Sequence, residues 1–315
     1  MPKVGIVGAG LIGRAWSNVF SRAGWDVTLW DADPKTTADA PALVAQSLRD
    51  LVPHGLVTDP EAAAKRVKSA KTMAEAVRGV DFVQESGPEK IEAKLAIWKE
   101  LDAVAPPEAI LVSSSSAIVA SRFTEDLKGR HRCLIAHPVN PPHVVPIVEL
   151  CPAPWTSPDV VKKARAIYES VGQVPMELKK EIDGFILNRM QAVLLSEAFR
   201  LVGEGYCSAE DLDKTIAHGL GLRWSFMGPF ETIEMNAPGG IPDYCQRFAA
   251  TMSGLASRPF TPDLFGPENV ARIMQSWGRT PTAKKVAAKS RWRDERLAAL
   301  AAHKRSQPGP RNGGK

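Results

Sequence analysis

The 315-residue chain is 44% hydrophobic and 24% charged, a balance that fits a globular protein and excludes extended disorder or a fibrous repeat. At this length two domains are expected, and no run of about eighteen apolar residues suggests a membrane span. The net charge of +5 does not argue for nucleic acid, because Lys304, Arg305, Arg311 and Lys315 crowd into residues 304–315, read as a flexible basic tail.

Met1-Pro2-Lys3 leads directly into a strand-like run at residues 4–8, VGIVG. This start has no apolar leader pattern and is read as pointing to the cytoplasm. A glycine-rich turn and a helical pattern follow as far as Ala23, with Gly24 as the stop. The turn, Gly8-Ala9-Gly10-Leu11-Ile12-Gly13, fits G-x-G-x-x-G between strand and helix. In that setting Gly8 makes the tight turn, Gly10 leaves room for a pyrophosphate, and Gly13 lets helix and strand approach. The negative ligand would lie against the free N–H groups of the helix N-terminus.

Residues 26–30 (DVTLW) read as the second strand, ending at Asp31. A carboxylate there can accept from ribose hydroxyls and would repel a 2′-phosphate, so NAD is expected rather than NADP. Lys35, four residues on, is read as a solvated surface lysine.

Further strands are expected at residues 80–83, 110–112, 133–136, 147–150 and 173–176, with helices at 91–104 and 158–171 among them. Alternating strands and helices predict a largely parallel sheet wound on both faces, a doubly wound α/β domain of the Rossmann type. His137 opens His137-Pro138-Val139-Asn140-Pro141-Pro142 directly after one of these strands, where open α/β sheets bind ligands. Glu149 lies in the next apolar run and needs a partner there. An imidazole on the adjacent strand would supply one, and the pair would suit proton transfer. The alternative is an incidental pair at a sheet edge. Serines 113–116 end the strand at 110–112, some of them as turn or cap residues.

After Asp183 strand signals stop. Ile186, Leu187, Met190, Val193, Leu194, Ala198 and Leu201 recur on one helix face. Helical patterning continues to about His303, with breaks near residues 219–221, 238–240 and 258–267. The expected organisation is therefore a Rossmann domain at 1–183 and an all-helical C-terminal domain at 184–303, the latter also a homodimer interface. Cys133, Cys151, Cys207 and Cys245 are scattered, without metal-ligand spacing, and are read as small buried hydrophobes; no metal is expected.

Taken together, these motifs resemble the 3-hydroxyacyl-CoA dehydrogenase superfamily and, within it, the λ-crystallin branch. The resemblance runs along nearly the whole chain: residues 8–13, Gln84-Glu85, the serine run, HPVNPP from His137 and residues 146–150. Further on it takes in GFILNRMQ from Gly184, SEAFRLVGEG from Ser196, GLGLRWSFMGPFET from Gly219 and RWRDERL from Arg291. It implies that His137 is the catalytic base, Glu149 its orienting carboxylate, and Ser116 and Asn188 the groups that hold the substrate oxygen. It also implies NAD contacts by Gly8, Gly10, Leu11, Ile12, Gly13, Asp31, Glu89, Lys94 and Asn140. Arg223, in the GLGxR motif, is inferred to bind a substrate carboxylate through its planar fork.

Ala117 and Ser86-Gly87-Pro88 depart from the branch pattern without removing a catalytic group. The reaction implied is hydride transfer from the 3-hydroxyl of a small hydroxy acid, such as L-gulonate, carnitine or a short 3-hydroxy acid, to NAD. Two alternatives stand beside it. One is a CoA thioester substrate, for which Lys65, Arg66, Lys68 and Lys71 would form a basic entrance or only a solvated face. The other is a non-catalytic NAD-binding or crystallin-like structural protein.

Overall fold

Successive side chains of a strand point to opposite faces of a sheet, so continuous apolar runs such as VGIVG need cover on both faces. The computed structural model, which describes residues 1–255, 262–277 and 283–307, bears this out. Its strands are β1 (Lys3–Val7), β2 (Asp26–Trp30), β3 (Val67–Ser69), β4 (Phe82–Glu85), β5 (Ile110–Ser113), β6 (Cys133–Pro138), β7 (Ile147–Pro152) and β8 (Val174–Glu177). They form one sheet in the order β3-β2-β1-β4-β5-β6-β7-β8. All pairings are parallel except β6 with β7, which runs antiparallel.

Alternate residues feed two separate cores. Val4, Ile6, Phe82, Ile110, Val112, Leu134 and Ala136 join one cluster. Val7, Val83, Leu111, Cys133 and Ile135 join the other. The first is covered by Trp16, Val19 and Phe20 of α1 (Leu11–Arg22) and by Ala40, Val44 and Leu48 of α2 (Pro34–Asp50). The second is covered by Trp98 and Leu101 of α3 (Ile91–Val104). Val161, Ala164 and Tyr168 of α4 (Pro158–Ser170) complete the first. Helices on both faces make this the expected doubly wound fold.

Strand β3 was not anticipated. The basic residues at 65–71 read as an entrance or a solvated face with no strand among them, but a short helix ends at Ala64 and Val67–Ser69 pairs with β2. A three-residue edge strand has only one ladder to satisfy and too short a pattern to show. Lys65, Lys68 and Lys71 are exposed there.

The chain divides into two compact units, Met1–Asn188 with Lys289–Lys315, and Arg189–Ala288. The second unit begins five residues beyond the expected boundary at 183. The larger difference lies at the other end, where the segment from 289 to 303, expected within the helical domain, belongs to the Rossmann unit. The reason is the apolar stripe of the last helix, α6 (Ala283–Ser306): Ala298 is buried in the first core, and Leu297, Ala301 and Ala302 pack against it. Of the expected tail, residues 308–315 lie outside the described residues, as do 258–261 of the expected break at 258–267; Lys304 and Arg305 lie in α6.

The second unit is helical among its described residues. It opens with α5 (Leu187–Gly203), which straddles the boundary, and Gly221 continues a π-helical turn rather than breaking it. It buries very little: Val202, Thr232 and Ala237 are its only buried described residues, while Met190, Val193, Tyr206, Phe226 and Phe230 are exposed.

Of the cysteines, Cys133 and Cys151 fit the expectation of burial. Burial pushes both thiols up to about 12, so they are inert at neutral pH. Cys207 is half-buried and Cys245 exposed, because both fall in the sparsely packed second unit.

Candidate active site

Strand order reverses between β1 and β4, and the crevice outside the carboxyl ends of these strands is where such sheets bind dinucleotides. The glycine turn lies there. Gly8 has φ +98, and a Cβ on it would come within 2.6 Å of the Ser86 carbonyl. A Cβ on Gly13 would fall 1.8 Å from the Gly8 oxygen, so helix and turn approach as closely as backbone allows. Gly10 has open space where its Cβ would point. Helix α1 starts after Gly10 with no side-chain cap and no acidic residue in its first turn. Its free N–H groups and positive end are therefore left for an anion. These residues fit the pyrophosphate of NAD.

Asp31 accepts from the Ala9 N–H at 2.8 Å and from the Asp33 N–H at 3.0 Å, one on each oxygen. The second lone pair of each oxygen remains for ribose hydroxyls. Lys35 pairs at 2.5 Å with Asp39 on the exposed side of α2, as a surface lysine does.

Three of the other expected NAD positions take particular places. Glu89 accepts on Oε1 from the Ser115 hydroxyl (2.6 Å) and from the N–H groups of Ser116, Ala117 and Ile118 (3.1–3.2 Å), so it shapes the serine loop. Asn140 is exposed, before a cis bond to Pro141. Lys94 turns inward: it is 0% exposed, and its Nζ donates at 2.8 Å to both oxygens of the equally buried Glu85. Glu85 also accepts from Gly87 N–H, Trp98 Nε1 and Ser113 Oγ. A buried carboxylate captures the nearest cation, which leaves Lys94 no surface from which to touch a cofactor directly.

Sequence reading singled out Gln84-Glu85 without giving Glu85 this role. The signal was an ionisable residue at the end of an all-buried strand, FVQE.

At the far side of the crevice His137 on β6 lies directly opposite Glu149 on β7. The imidazole Nδ1 and Glu149 Oε2 are 2.7 Å apart, both groups almost wholly buried. The other carboxylate oxygen, Oε1, accepts from the N–H groups of Ile186 (2.9 Å) and Leu187 (3.0 Å), where α5 begins. Nε2 of His137 has no hydrogen-bond partner among the described residues. A carboxylate beside Nδ1 favours the tautomer with Nδ1–H toward it, which leaves the Nε2 lone pair unengaged.

Asn188 donates at 2.7 Å to the Ser116 backbone oxygen, so it holds the serine loop rather than the serine hydroxyl. Ser116 is exposed. Phe185 was not anticipated at all. It is fully buried at φ 52, with its ring centroid 5.2 Å from that of His137. A left-handed aromatic residue costs roughly 1–2 kcal/mol. Sequence carried only a faint sign of it, an apolar residue before the helix inside GFILNRMQ. Arg223 lies exposed on a short helix of the second unit, Gly221–Trp224.

The loop after His137 is pinned by Arg22, whose Nη1 donates at 2.7 Å to the His143 carbonyl. Burial, and then the charge of Arg22, lower the His143 imidazole to about 4 from 6.5. Above pH 6.5 it is neutral in folded and unfolded chains alike. As pH falls from 6.5 toward 4 only the unfolded chain gains the proton, so stability is lost, by about 3 kcal/mol for a shift of this size. His143→Gln is expected to flatten the fall in melting temperature between pH 7 and pH 4.5. Parallel curves for variant and parent would refute it.

Among the described residues no group of His, Cys, Asp and Glu side chains could hold a metal ion, and no helix is long and apolar enough to cross a membrane.

A doubly wound sheet with a glycine turn after its first strand, a carboxylate after its second and a buried His–Glu pair fits a dinucleotide-dependent oxidoreductase. Residues 3–182 match the 3-hydroxyacyl-CoA dehydrogenase NAD binding domain and residues 184–285 the C-terminal domain of the same enzymes. The chain belongs to the 3-hydroxyacyl-CoA dehydrogenase family, and is an NAD-dependent dehydrogenase acting on a CH–OH group. It is 38% identical to lambda-crystallin of Oryctolagus cuniculus over 305 residues, 95% of each chain. It is 33% identical to L-carnitine dehydrogenase of Pseudomonas putida over 295 residues, 93% of this chain and 91% of that one. Among solved structures, 5-formyl-3-hydroxy-2-methylpyridine 4-carboxylic acid 5-dehydrogenase, an NAD+ dependent dismutase, superposes with a TM-score of 0.85 at 25% identity, covering 98% of this chain and 100% of that one.

Proposed function

We propose that the chain oxidises the 3-hydroxyl of a small free hydroxy acid, with His137 as the proton acceptor. The observation that carries this reading is the 2.7 Å contact between His137 Nδ1 and Glu149, with Nε2 left unengaged. NAD, when bound, supplies the hydride acceptor. Nε2 takes the hydroxyl proton, and Glu149 stabilises the imidazolium that results. Ser116 and Asn188 orient the substrate oxygen. In this role Asn188 acts partly by fixing the serine loop through the Ser116 carbonyl. Gly8, Gly10, Leu11, Ile12, Gly13, Asp31, Glu89 and Asn140 form the cofactor cradle, with Lys94 acting through Glu85. Arg223 is assigned to the substrate carboxylate on the resemblance of its GLGxR motif alone.

Similarity to L-carnitine dehydrogenase along most of the chain supports a free acid over a CoA thioester. The test is NADH formation with L-gulonate, L-carnitine, 3-hydroxybutyrate and 3-hydroxybutyryl-CoA. Turnover of a free acid is expected. Turnover of the thioester alone would replace the free-acid reading, and NAD binding without any turnover would favour a structural protein.

The exposed apolar side chains of the second unit, such as Phe226 and Phe230, support a homodimer. Light scattering at micromolar concentration should return twice the 34.1 kDa chain mass; a monomer mass would reject the dimer.

A further inference from the structure

We propose that Phe185 is a positioning residue for His137, and that the turn at residues 184–188 is the device that sets the geometry of the His137–Glu149 pair; this rests on His137 being the acid–base group.

The turn touches each part of that constellation. The Phe185 ring lies 5.2 Å from the imidazole, centroid to centroid, at an interplanar angle of 37°. The next two N–H groups, of Ile186 and Leu187, hold Glu149 Oε1. Asn188 then holds the Ser116 carbonyl. Five consecutive residues thus fix the ring plane, the carboxylate rotation and the serine loop. All of them lie in the first unit.

The backbone supplies an independent reason to assign a role to the ring. Phe185 follows Gly184, itself at φ 74, and takes φ 52. A second glycine would adopt this conformation without strain. A side chain kept in an unfavourable backbone region must return something through its contacts. Phe185 is wholly buried in the second core, and the functional group it meets there is the imidazole.

The Glu149 bond fixes one ring nitrogen and leaves the tilt of the ring plane to the surrounding packing. An aromatic surface against one face limits that tilt. A ring held within a narrow range of angles keeps Nε2 aimed at the hydroxyl proton, and misaiming by about 1 Å is enough to lose as much as 10²-fold in rate.

The experiment compares Phe185→Leu, Phe185→Met and Phe185→Tyr with wild type and with His137→Ala. Leu and Met fill the space without a flat face, and two variants guard against one failing to fold. Tyr keeps the ring. Two readouts are taken on cooperatively melting protein: kcat and KM with the best-oxidised acid of the panel, and the downfield Nδ1 proton resonance of His137 in the cofactor-free enzyme, which needs no substrate.

We expect kcat to fall roughly tenfold in the Leu and Met variants with KM values within about twofold. The Nδ1 resonance should broaden or vanish in both, and the Tyr variant should restore rate and resonance. An unchanged resonance and kcat in the Leu and Met variants would overturn the proposal, and so would a Tyr variant that falls as far as they do. If His137→Ala keeps its activity, the acid–base reading itself fails, and the resonance still reports whether Phe185 orients the ring.

Discussion

His137→Ala is expected to lower kcat by roughly 10²–10⁴ while leaving NADH affinity nearly unchanged. The asymmetry follows from placement. The proposed cradle for the pyrophosphate and ribose is the turn after β1 with Asp31 after β2, whereas His137 lies near the end of β6, three strands from β1 in the sheet. Removing the imidazole also leaves the Glu149 carboxylate, among the described residues, with the Ile186 and Leu187 N–H groups alone as partners in a buried site. A small loss of stability should therefore accompany the loss of rate. Single-turnover NADH formation at saturating cofactor checks the first effect, and a fluorescence titration with NADH checks the second. A variant that keeps more than about a tenth of the parent kcat would remove His137 from the mechanism.

Lys94→Met is expected to destabilise the protein by about 3–5 kcal/mol, the usual consequence of leaving one member of a buried ion pair alone. Both side chains are almost completely excluded from water, and among the described residues Glu85 pairs with no other cation. Methionine has nearly the length of lysine, so the change removes charge with little change in volume. Adding Glu85→Gln to the same chain should recover about half of the loss or more, because the uncompensated charge is then gone. Urea unfolding of the three proteins decides the matter. A single-variant loss below about 1 kcal/mol would mean that water reaches the pair. The pair has a functional side as well. Glu85 holds the Gly87 N–H, and Gly8 packs against Ser86, so the ion pair lies under the dinucleotide turn. Weaker NAD binding should accompany the lost stability.

The sites that could be read from sequence are those where a local pattern meets a local physical demand. Residues 8–13 needed only their neighbours to be recognised, since the tight turn and the close helix approach are properties of the backbone. Asp31, at the end of the second strand, follows from the same unit. The His137–Glu149 pair could be anticipated because an apolar strand cannot carry a lone carboxylate.

What sequence did not disclose depends on partners far along the chain. Lys94 fits a cofactor contact by position, yet Glu85 on another element captures it. The short strand Val67–Ser69 has too few residues to show an alternation, and only its pairing with β2 defines it. Residues 289–303 carry a helical pattern indistinguishable from that of their neighbours, and burial of Ala298 in the first core assigns them to the Rossmann unit. Phe185 is the clearest case: a left-handed aromatic residue is unfavourable by itself, and it holds only because the imidazole and the core complete its surroundings. Local periodicity and turn chemistry thus determined most of the elements and the dinucleotide turn, because backbone sterics and side-chain spacing act over a few residues, while the reaction was implied by the resemblance of longer motifs. The tertiary structure alone decided which buried charges pair and what orients the histidine, because desolvation and packing act between residues that only the folded chain brings together.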